Sequence, residues 1–505
     1  MNKIQASNPF FEIYSTPHGT VPFNLIKTEH YAPAIHEGIR RQNGEIDAII
    51  NNPDAPTFEN TIVPYEKSGE LLHRVNTVFG NLLSAETDDE LQELAREIMP
   101  LMSEHENNIS LNEKLFARIK TVYELADKAK LTPEQSKLLE DIYTGFVRNG
   151  ANLQGDAKEQ YRNLCKELSL LTLQFSENTL KETNDYRLVL TEKSQLSGLP
   201  ESAIDAAAET AQEKGVEGWV FTLHAPSYSP FMTYADNRDL RRELYMAYNT
   251  KCTHDNACNN LEIVKKIANI HMEIARLLGY DNFAEYNLKE RMAQNSDTVY
   301  KLLNQLLEAY TPTAQKEYDE VQALARSEEG ADFILMPWDW SYYSQKLKDR
   351  KFSINDEMLR PYFELSKVKE GIFGLASKLY GITFKKNADI PVYHKDVEAY
   401  EVFDKDGTYL AVLYTDFHPR TGKRSGAWMT SYKGQWIDEA SGENSRPHVS
   451  IVMNFTKPTQ NTPALLTFNE VETFLHEFGH SLHEIFADST YESLSGTNVY
   501  WDFVE

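Results

Sequence analysis

The chain has 505 residues, of which 41% are hydrophobic and 25% charged, so it can bury a sizeable core and has room for more than one domain. Lys and Arg total 51 against 76 Asp and Glu, which gives a formal net charge of −25. This acidic balance argues against binding to nucleic-acid phosphates or to anionic membranes, so we expect neither as a partner.

Cysteine content and hydropathy bear on the compartment. Cys165, Cys252 and Cys258 are too few and too unevenly placed for a disulfide framework, and they indicate a reducing environment. No run approaches the roughly 18 apolar residues of a transmembrane helix, and residues 1–5 lack the apolar core of a signal peptide. We therefore expect a cytoplasmic protein.

The first part of the chain has mainly helical spacing. Apolar positions predict a helix from Tyr31 to a stop at Pro53. After Gly155, apolar residues at spacings of three and four predict a long amphipathic helix. Short strands are predicted over 186–190 and 218–223, so a small strand-containing part accompanies these helices.

The segment 225–230, Ala-Pro-Ser-Tyr-Ser-Pro, is the best linker candidate by composition. We accordingly divide the chain into an N-terminal helical region, 1–230, and a second region, 231–505.

The second region begins with helices and then changes to strands. Apolar faces predict a helix over 261–279 and another that ends before Pro312. Alternating or continuous apolar residues predict strands over 397–403, 409–414 and 449–455. The last of these strands comes shortly before the most informative motif of the chain.

That motif is a pair of histidines, His476 and His480, that bracket Glu477. On an α-helix, residues i and i+4 lie one turn apart on one face, so both imidazoles can bind one metal ion. Glu477 follows the first histidine directly and can act as general base on a water beside the metal. The pattern predicts a hydrolase with a single zinc ion. Asn469 as N-cap and Glu472 three residues later predict a capping box at the start of this helix.

A catalytic zinc ion usually has three protein ligands, and spacing leaves the third one open. His483 lies about 10 Å along the helix from His476, too far for a shared ion. The glycine and the third histidine that follow this motif in metzincins are also absent, since His483 and Phe486 occupy those positions. Four later carboxylates remain as candidates: Asp488, Glu492, Asp502 and Glu505.

The segment 476–480, His-Glu-Phe-Gly-His, together with 493–498 and 502–505, resembles the thimet-oligopeptidase family of zinc peptidases, family M3. The resemblance implies that Glu505 is the third zinc ligand. It also implies a mainly α, zincin-like fold with a small β-sheet beside the zinc helix and a deep substrate channel. Family members continue well beyond this point, so it further implies that the chain is truncated at its C-terminus, with an incomplete and inactive site.

The same resemblance implies where a peptide binds. The edge of the sheet beside the zinc site would receive the substrate backbone, and Gly426 and Ala427 would keep that edge sterically open. Alternatively, these two small residues relieve packing around Trp428. Gly496 and Thr497 are further candidate substrate-binding residues.

Three short runs, 361–365, 391–394 and 495–498, look closest to the bacterial peptidyl-dipeptidase branch of the family. This resemblance implies a monomeric enzyme that releases C-terminal dipeptides from short, unstructured peptides. An endo-acting oligopeptidase of the same family is one alternative. A non-catalytic peptide-binding protein is the other.

Overall fold

A computed structural model describes residues 8–127 and 129–505 of the chain. Helices account for 59% of the structure, which confirms the predicted mainly α fold. Residues 1–5, on which the signal-peptide argument rests, lie outside the described residues. Within the described ranges, no helix combines the length and the apolar character needed to cross a membrane.

The helices occur throughout the chain, and most strands fall between residues 383 and 452. The helices are α1 Tyr31–Ile50, α2 Val63–Glu66, α3 Glu70–Ala85, α4 Asp89–Ser110, α5 Glu113–Leu125, α6 Pro133–Arg148, α7 Asp156–Asp185, α8 Glu201–Glu213, α9 Ala225–Tyr234, α10 Arg238–Asn249, α11 Leu261–Leu277, α12 Phe283–Leu288, α13 Ser296–Glu329, α14 Trp340–Phe352, α15 Asp356–Leu359, α16 Leu365–Tyr380, α17 Phe468–Ile485 and α18 Trp501–Val504. The strands are β1 Leu188–Leu190, β2 Trp219–Phe221, β3 Thr383–Lys386, β4 Glu398–Phe403, β5 Tyr409–Asp416, β6 Trp428–Lys433, β7 Trp436–Ile437, β8 Asn444–Ser445 and β9 His448–Val452.

The main sheet has five strands in the order β3-β4-β5-β9-β6, with β6 at one edge. Strands β5 and β9 run parallel, and the other neighbours are antiparallel. Successive side chains of a strand point to opposite faces, and Val412 and Leu413 show this. Val412 packs into a core with α1, α3 and α4, whereas Leu413 packs into a second core with α16 and α17. The sheet therefore separates the N-terminal helices from the motif helix.

The predicted linker at 225–230 is wrong, because this segment forms the first half of helix α9. Pro226 occupies the first turn, where a missing N–H costs no helical hydrogen bond. Phe231 and Met232 on the same helix are buried in a core with β1 and β2. Burial therefore overrides the loop-like composition. This core contains residues from both sides of position 230, and the division into regions 1–230 and 231–505 stays a prediction.

The predicted end of a helix before Pro312 is also wrong, because α13 continues through Pro312 to Glu329. A proline inside a helix removes the hydrogen bond to the carbonyl four residues earlier, here that of Glu308. Glu308 lies on an exposed stretch, where water can satisfy that carbonyl. The apolar spacing that predicted a buried face here includes the exposed residues Leu302 and Leu307.

A buried ion cluster holds the end of strand β5. The carboxylate of Asp416 accepts hydrogen bonds from Lys423 Nζ at 2.7 Å, from Arg420 at 2.6 and 2.8 Å, and from the Tyr393 hydroxyl at 2.8 Å. Lys423 Nζ also donates to the carbonyl of Met453, just after β9. Both Asp416 and Lys423 are fully buried. The cluster therefore joins the ends of the two parallel strands.

The charges of this cluster fix its protonation state at neutral pH. Burial alone raises the pKa of the Asp416 carboxyl, but the Arg420 hydrogen bond and the Lys423 charge outweigh burial, so that the pKa lies below its ordinary value. Burial lowers the pKa of the Lys423 ammonium to about 8, and the group stays protonated at pH 7. The cluster is therefore ionised near neutrality.

We predict that Asp416 makes the free energy of unfolding depend on pH in the acidic range. Because its folded pKa lies below the unfolded value of about 3.9, its stabilisation is complete above that pH and is lost as pH falls through the folded pKa. At pH 7 the Asp416→Asn variant should lose about 3–5 kcal/mol, since the buried Lys423 ammonium is left without its anion, while Arg420 keeps its ion pair with Glu86. Urea unfolding measured from pH 7 to pH 3 should show the difference from wild type shrinking below about pH 4. The exposed variant Asp332→Asn is the control, and a difference that stays constant with pH would contradict the assignment.

Candidate metal centre

Helix α17 carries the motif and begins two residues earlier than predicted. Thr467, not Asn469, is the N-cap: its hydroxyl accepts the Glu470 N–H at 3.1 Å, and the Glu470 carboxylate accepts the Thr467 N–H at 2.8 Å. The capping box predicted with Glu472 is therefore wrong. Glu470 also accepts the N–H of Thr456 at 2.7 Å, so a contact with the chain after β9 selects this start.

One face of α17 anchors the helix on the sheet, and the adjoining face carries the histidines. Phe474 and Phe478 are buried, and Phe474 packs against Phe417 at a ring-centroid distance of 5.0 Å. The His476 side chain is 53% exposed and that of His480 is 13% exposed. The helical spacing therefore presents both imidazoles on one side of a firmly packed helix, as the sequence predicts.

The structure brings His476, His480 and Glu505 together. The distances are 3.1 Å between the two Nε2 atoms, 3.3 Å from His476 Nε2 to Glu505 Oε2, and 3.6 Å from His480 Nε2 to the same oxygen. A tetrahedral zinc ion with bonds of about 2.0–2.1 Å has ligand atoms about 3.3–3.4 Å apart. The two nitrogens and one oxygen therefore have the donor types and the spacing of a three-ligand zinc site.

Glu477 lies beside this triangle and is itself buried, with 6% of its surface exposed. Burial raises the pKa of its carboxyl, the charge of His476 opposes the rise, and the charge of Glu505 adds to it. A carboxyl with a raised pKa both accepts and returns a proton more readily near neutral pH. Glu477 is therefore suited to proton transfer beside the triangle.

Gly496 and Thr497 contact the motif helix. The Thr497 N–H donates to Glu484 Oε2 at 3.2 Å, and Glu484 is buried on the last turn of α17. Gly496 has φ +54°, and a Cβ on it would lie 1.7 Å from the same oxygen. These two residues therefore let the chain between α17 and α18 pack closely on Glu484. Their role in substrate binding stays a prediction.

Gly426 and Ala427 lie just before the edge strand β6. Gly426 has φ +100°, and no atom lies within 4 Å of a Cβ built there, so its surroundings are open. The Asn454 side chain donates to the Gly426 carbonyl at 2.6 Å. Farther along β6, the Asn81 side chain of α3 donates to the Ser431 carbonyl at 3.1 Å. The position of both residues at a sheet edge is as expected, and their contact with a peptide stays a prediction.

Sequence reasoning missed two carboxylates of the N-terminal helices that hold the chain ahead of Glu505. Glu66 accepts the N–H and the hydroxyl of Ser493 at 3.0 and 2.9 Å. Glu134 accepts the N–H of Thr490 at 3.0 Å and also its hydroxyl. These partners are 427 and 356 residues apart in the chain, so no local pattern could have indicated them.

In this helical fold, two histidines of one helix and a third residue, a carboxylate, lie close together, and a buried glutamate lies beside them. This arrangement is typical of metallopeptidases. Residues 231–505 match the description "Peptidase family M3". The chain belongs to peptidase family M3, and the resemblance seen in its motifs is confirmed.

Curated relatives extend the match to nearly the whole chain. The dipeptidyl carboxypeptidase of Escherichia coli (strain K12) is 37% identical over 500 residues, which are 99% of this chain and 73% of that protein. The oligopeptidase A of Salmonella typhimurium is 34% identical over 504 residues, again 99% of this chain and 73% of that protein. The chain thus spans about three quarters of the length of these relatives.

We predict that Gly496→Ala weakens metal binding. The new methyl group would collide with the Glu484 carboxylate, and the left-handed backbone would be strained, so the chain that leads to Glu505 must move. Loss of a group hydrogen-bonded directly to a metal ligand typically costs 10–100-fold in affinity; for this less direct contact we expect a loss of about tenfold in zinc affinity, measured by chelator competition.

Gly407→Ala is the matched control, because Gly407 has φ +87° but open space around its Cβ position. It introduces comparable backbone strain without the collision. Equal zinc affinities for the two variants would show that the contact with Glu484 has no bearing on the metal centre.

Proposed function

We propose that this family M3 protein, in its full length, acts as a zinc-dependent peptidase on short, unstructured peptides and releases C-terminal dipeptides from them. The observation that carries the proposal is the triangle of His476 Nε2, His480 Nε2 and Glu505 Oε2, with sides of 3.1, 3.3 and 3.6 Å. These three residues would hold one ion. When bound, zinc supplies Lewis acidity, which lowers the pKa of water towards about 7 and polarises a carbonyl oxygen.

Glu477 is the proposed general base and acid. Its carboxylate takes a proton from the attacking water and later delivers a proton to the leaving amine. Its burial and raised pKa support both steps, because a carboxyl that holds its proton more tightly is a stronger base. Its place directly after His476 keeps it next to the reacting groups without making it a ligand.

The edge strand β6 is the proposed site of peptide binding, by addition of the substrate as a further strand. Gly426 and Ala427 would keep the approach to this edge open. Main-chain bonding of this kind gives affinity with little side-chain selection.

Two classes of cleavage remain to be separated by experiment. The relatives named above are a dipeptidyl carboxypeptidase at 37% identity and an oligopeptidase A at 34%. The runs 361–365, 391–394 and 495–498 favour the dipeptide-releasing branch. An endo-acting oligopeptidase is the alternative. We further propose that the protein works as a monomer in the cytoplasm, where its three free cysteines would stay reduced.

We predict that Glu477→Gln in the zinc-loaded full-length protein lowers kcat about 10²–10⁴-fold, the usual contribution of a general base. Zinc affinity should stay near the wild-type value, because Glu477 is not one of the three ligands. The exposed variant Glu472→Gln on the same helix is the control. Ordinary peptidase activity in Glu477→Gln would contradict the assigned role.

We predict that cleavage depends on the free C-terminal carboxylate of the substrate. Mass spectrometry of a defined peptide should show stepwise loss of C-terminal dipeptides that a chelator abolishes. The same peptide with an amidated C-terminus should be cleaved far more slowly. Internal cleavage of both peptides would support the oligopeptidase alternative, and no cleavage by the zinc-loaded full-length protein would overturn the peptidase assignment.

A further inference from the structure

The short helix α18, which leads directly to Glu505, is held by a turn from a distant part of the chain. The Asp502 carboxylate accepts the Met292 N–H at 2.8 Å on Oδ1 and the Ala293 N–H at 3.0 Å on Oδ2. Both donors belong to the turn between α12 and α13. One carboxylate therefore binds two consecutive backbone amides, 209 and 210 residues away in sequence.

A second contact supports the same attachment. The Arg291 guanidinium lies over the Trp501 ring, 5.1 Å from its centroid. Trp501 and Asp502 are neighbours on α18, and Arg291 directly precedes Met292. The cation–π contact and the carboxylate contact therefore act between the same two segments.

Helix α18 needs such an attachment, because four residues cannot hold a helical turn in water by themselves. Its side chains are mostly exposed, so packing contributes little to its position. Asp502 and Glu505 are three residues apart, a spacing that places neighbouring side chains on one side of a helical turn. The direction in which Glu505 projects therefore depends on where Asp502 is fixed.

We propose that Asp502 is a positioning residue for the metal centre: its contact with the amides of Met292 and Ala293 holds the Glu505 carboxylate next to His476 and His480. This inference rests on the proposed zinc site. It gives the turn between α12 and α13 a role in metal binding, although that turn contributes no ligand. A carboxylate suits this role, since a charged acceptor binds two N–H donors more strongly than a neutral acceptor does.

Thermodynamic linkage between zinc binding and the Asp502 contact supplies a test. A contact that only stabilises the fold would not respond to zinc. If the Asp502 contact favours zinc binding, then zinc must favour the Asp502 contact by the same factor. Zinc should therefore slow hydrogen exchange at the amides of Met292 and Ala293 in the unmodified protein. This measurement needs no variant, so it does not depend on whether a variant folds.

The affinity test uses zinc itself as the probe, by chelator competition. Asp502→Ala should bind zinc about tenfold more weakly than wild type, at the lower end of the 10–100-fold loss seen when a direct hydrogen-bond partner of a ligand is removed. Asp502→Asn, which keeps one acceptor oxygen, should fall between the two. In Asp502→Ala the Met292 and Ala293 amides should exchange rapidly with or without zinc.

Asp438→Ala is the matched control. The Asp438 carboxylate also accepts two backbone N–H groups, those of Ala440 and Ser441 at 2.8 Å each, but within its own turn. Its loss should leave zinc affinity near the wild-type value. Two results would overturn the inference. One is that Asp502→Ala binds zinc as tightly as wild type does; the other is that the wild-type protein binds zinc but hydrogen exchange at the two amides does not change. Failure of the wild-type protein to bind zinc would instead overturn the proposed function.

Discussion

The candidate metal centre depends on the position of the Glu505 side chain, which local helix geometry does not determine. His476 and His480 are set relative to each other by helix geometry, and the packing of α17 on the sheet fixes both. Glu505 comes twenty-five residues after His480, beyond a segment with little regular structure. A ligand set with sides of 3.1 to 3.6 Å tolerates little displacement of this third member. The contacts that hold the segment between α17 and α18 therefore matter as much as the ligands themselves.

Several of those contacts share one chemistry, a carboxylate that accepts a backbone N–H. Glu66, Glu134 and Glu484 bind the chain between the ligands in this way, and Asp502 binds the turn before α13. A carboxylate suits an irregular segment, because it accepts from two donors at once and adds charge to the bond. Part of the acidic excess in the sequence thus has a structural use.

Sequence reasoning succeeded where local periodicity decides the structure. The helix from Tyr31, the long helix after Gly155 and the three strands that precede the motif all follow from apolar spacing and are present within a few residues. The grouping of His476, His480 and Glu505 was likewise expected, the histidines from helical spacing and Glu505 from the family resemblance.

Sequence reasoning failed where long-range contacts outweigh the local conformational preference of a segment. The segment 225–230 has a loop-like composition but is drawn into a helix by the burial of Phe231. The N-cap of α17 is Thr467 and not the predicted Asn469, because its partner Glu470 also binds Thr456. The carboxylate contacts made by Glu66, Glu134 and Asp502 join residues hundreds of positions apart, and a single sequence carries no local sign of such pairs.

The same N-terminal helices hold both halves of the proposed active site. On one side, α3 binds the chain that leads into β6: the Ser84 carbonyl accepts the Arg424 N–H at 2.9 Å, and Asn81 bonds to Ser431. On the other side, Glu66, just ahead of α3, binds the chain that leads to Glu505. The edge that would receive a peptide and the segment that carries the third ligand are thus attached to one stretch of the chain. The N-terminal helices would therefore set the distance between a peptide on this edge and the candidate metal ligands.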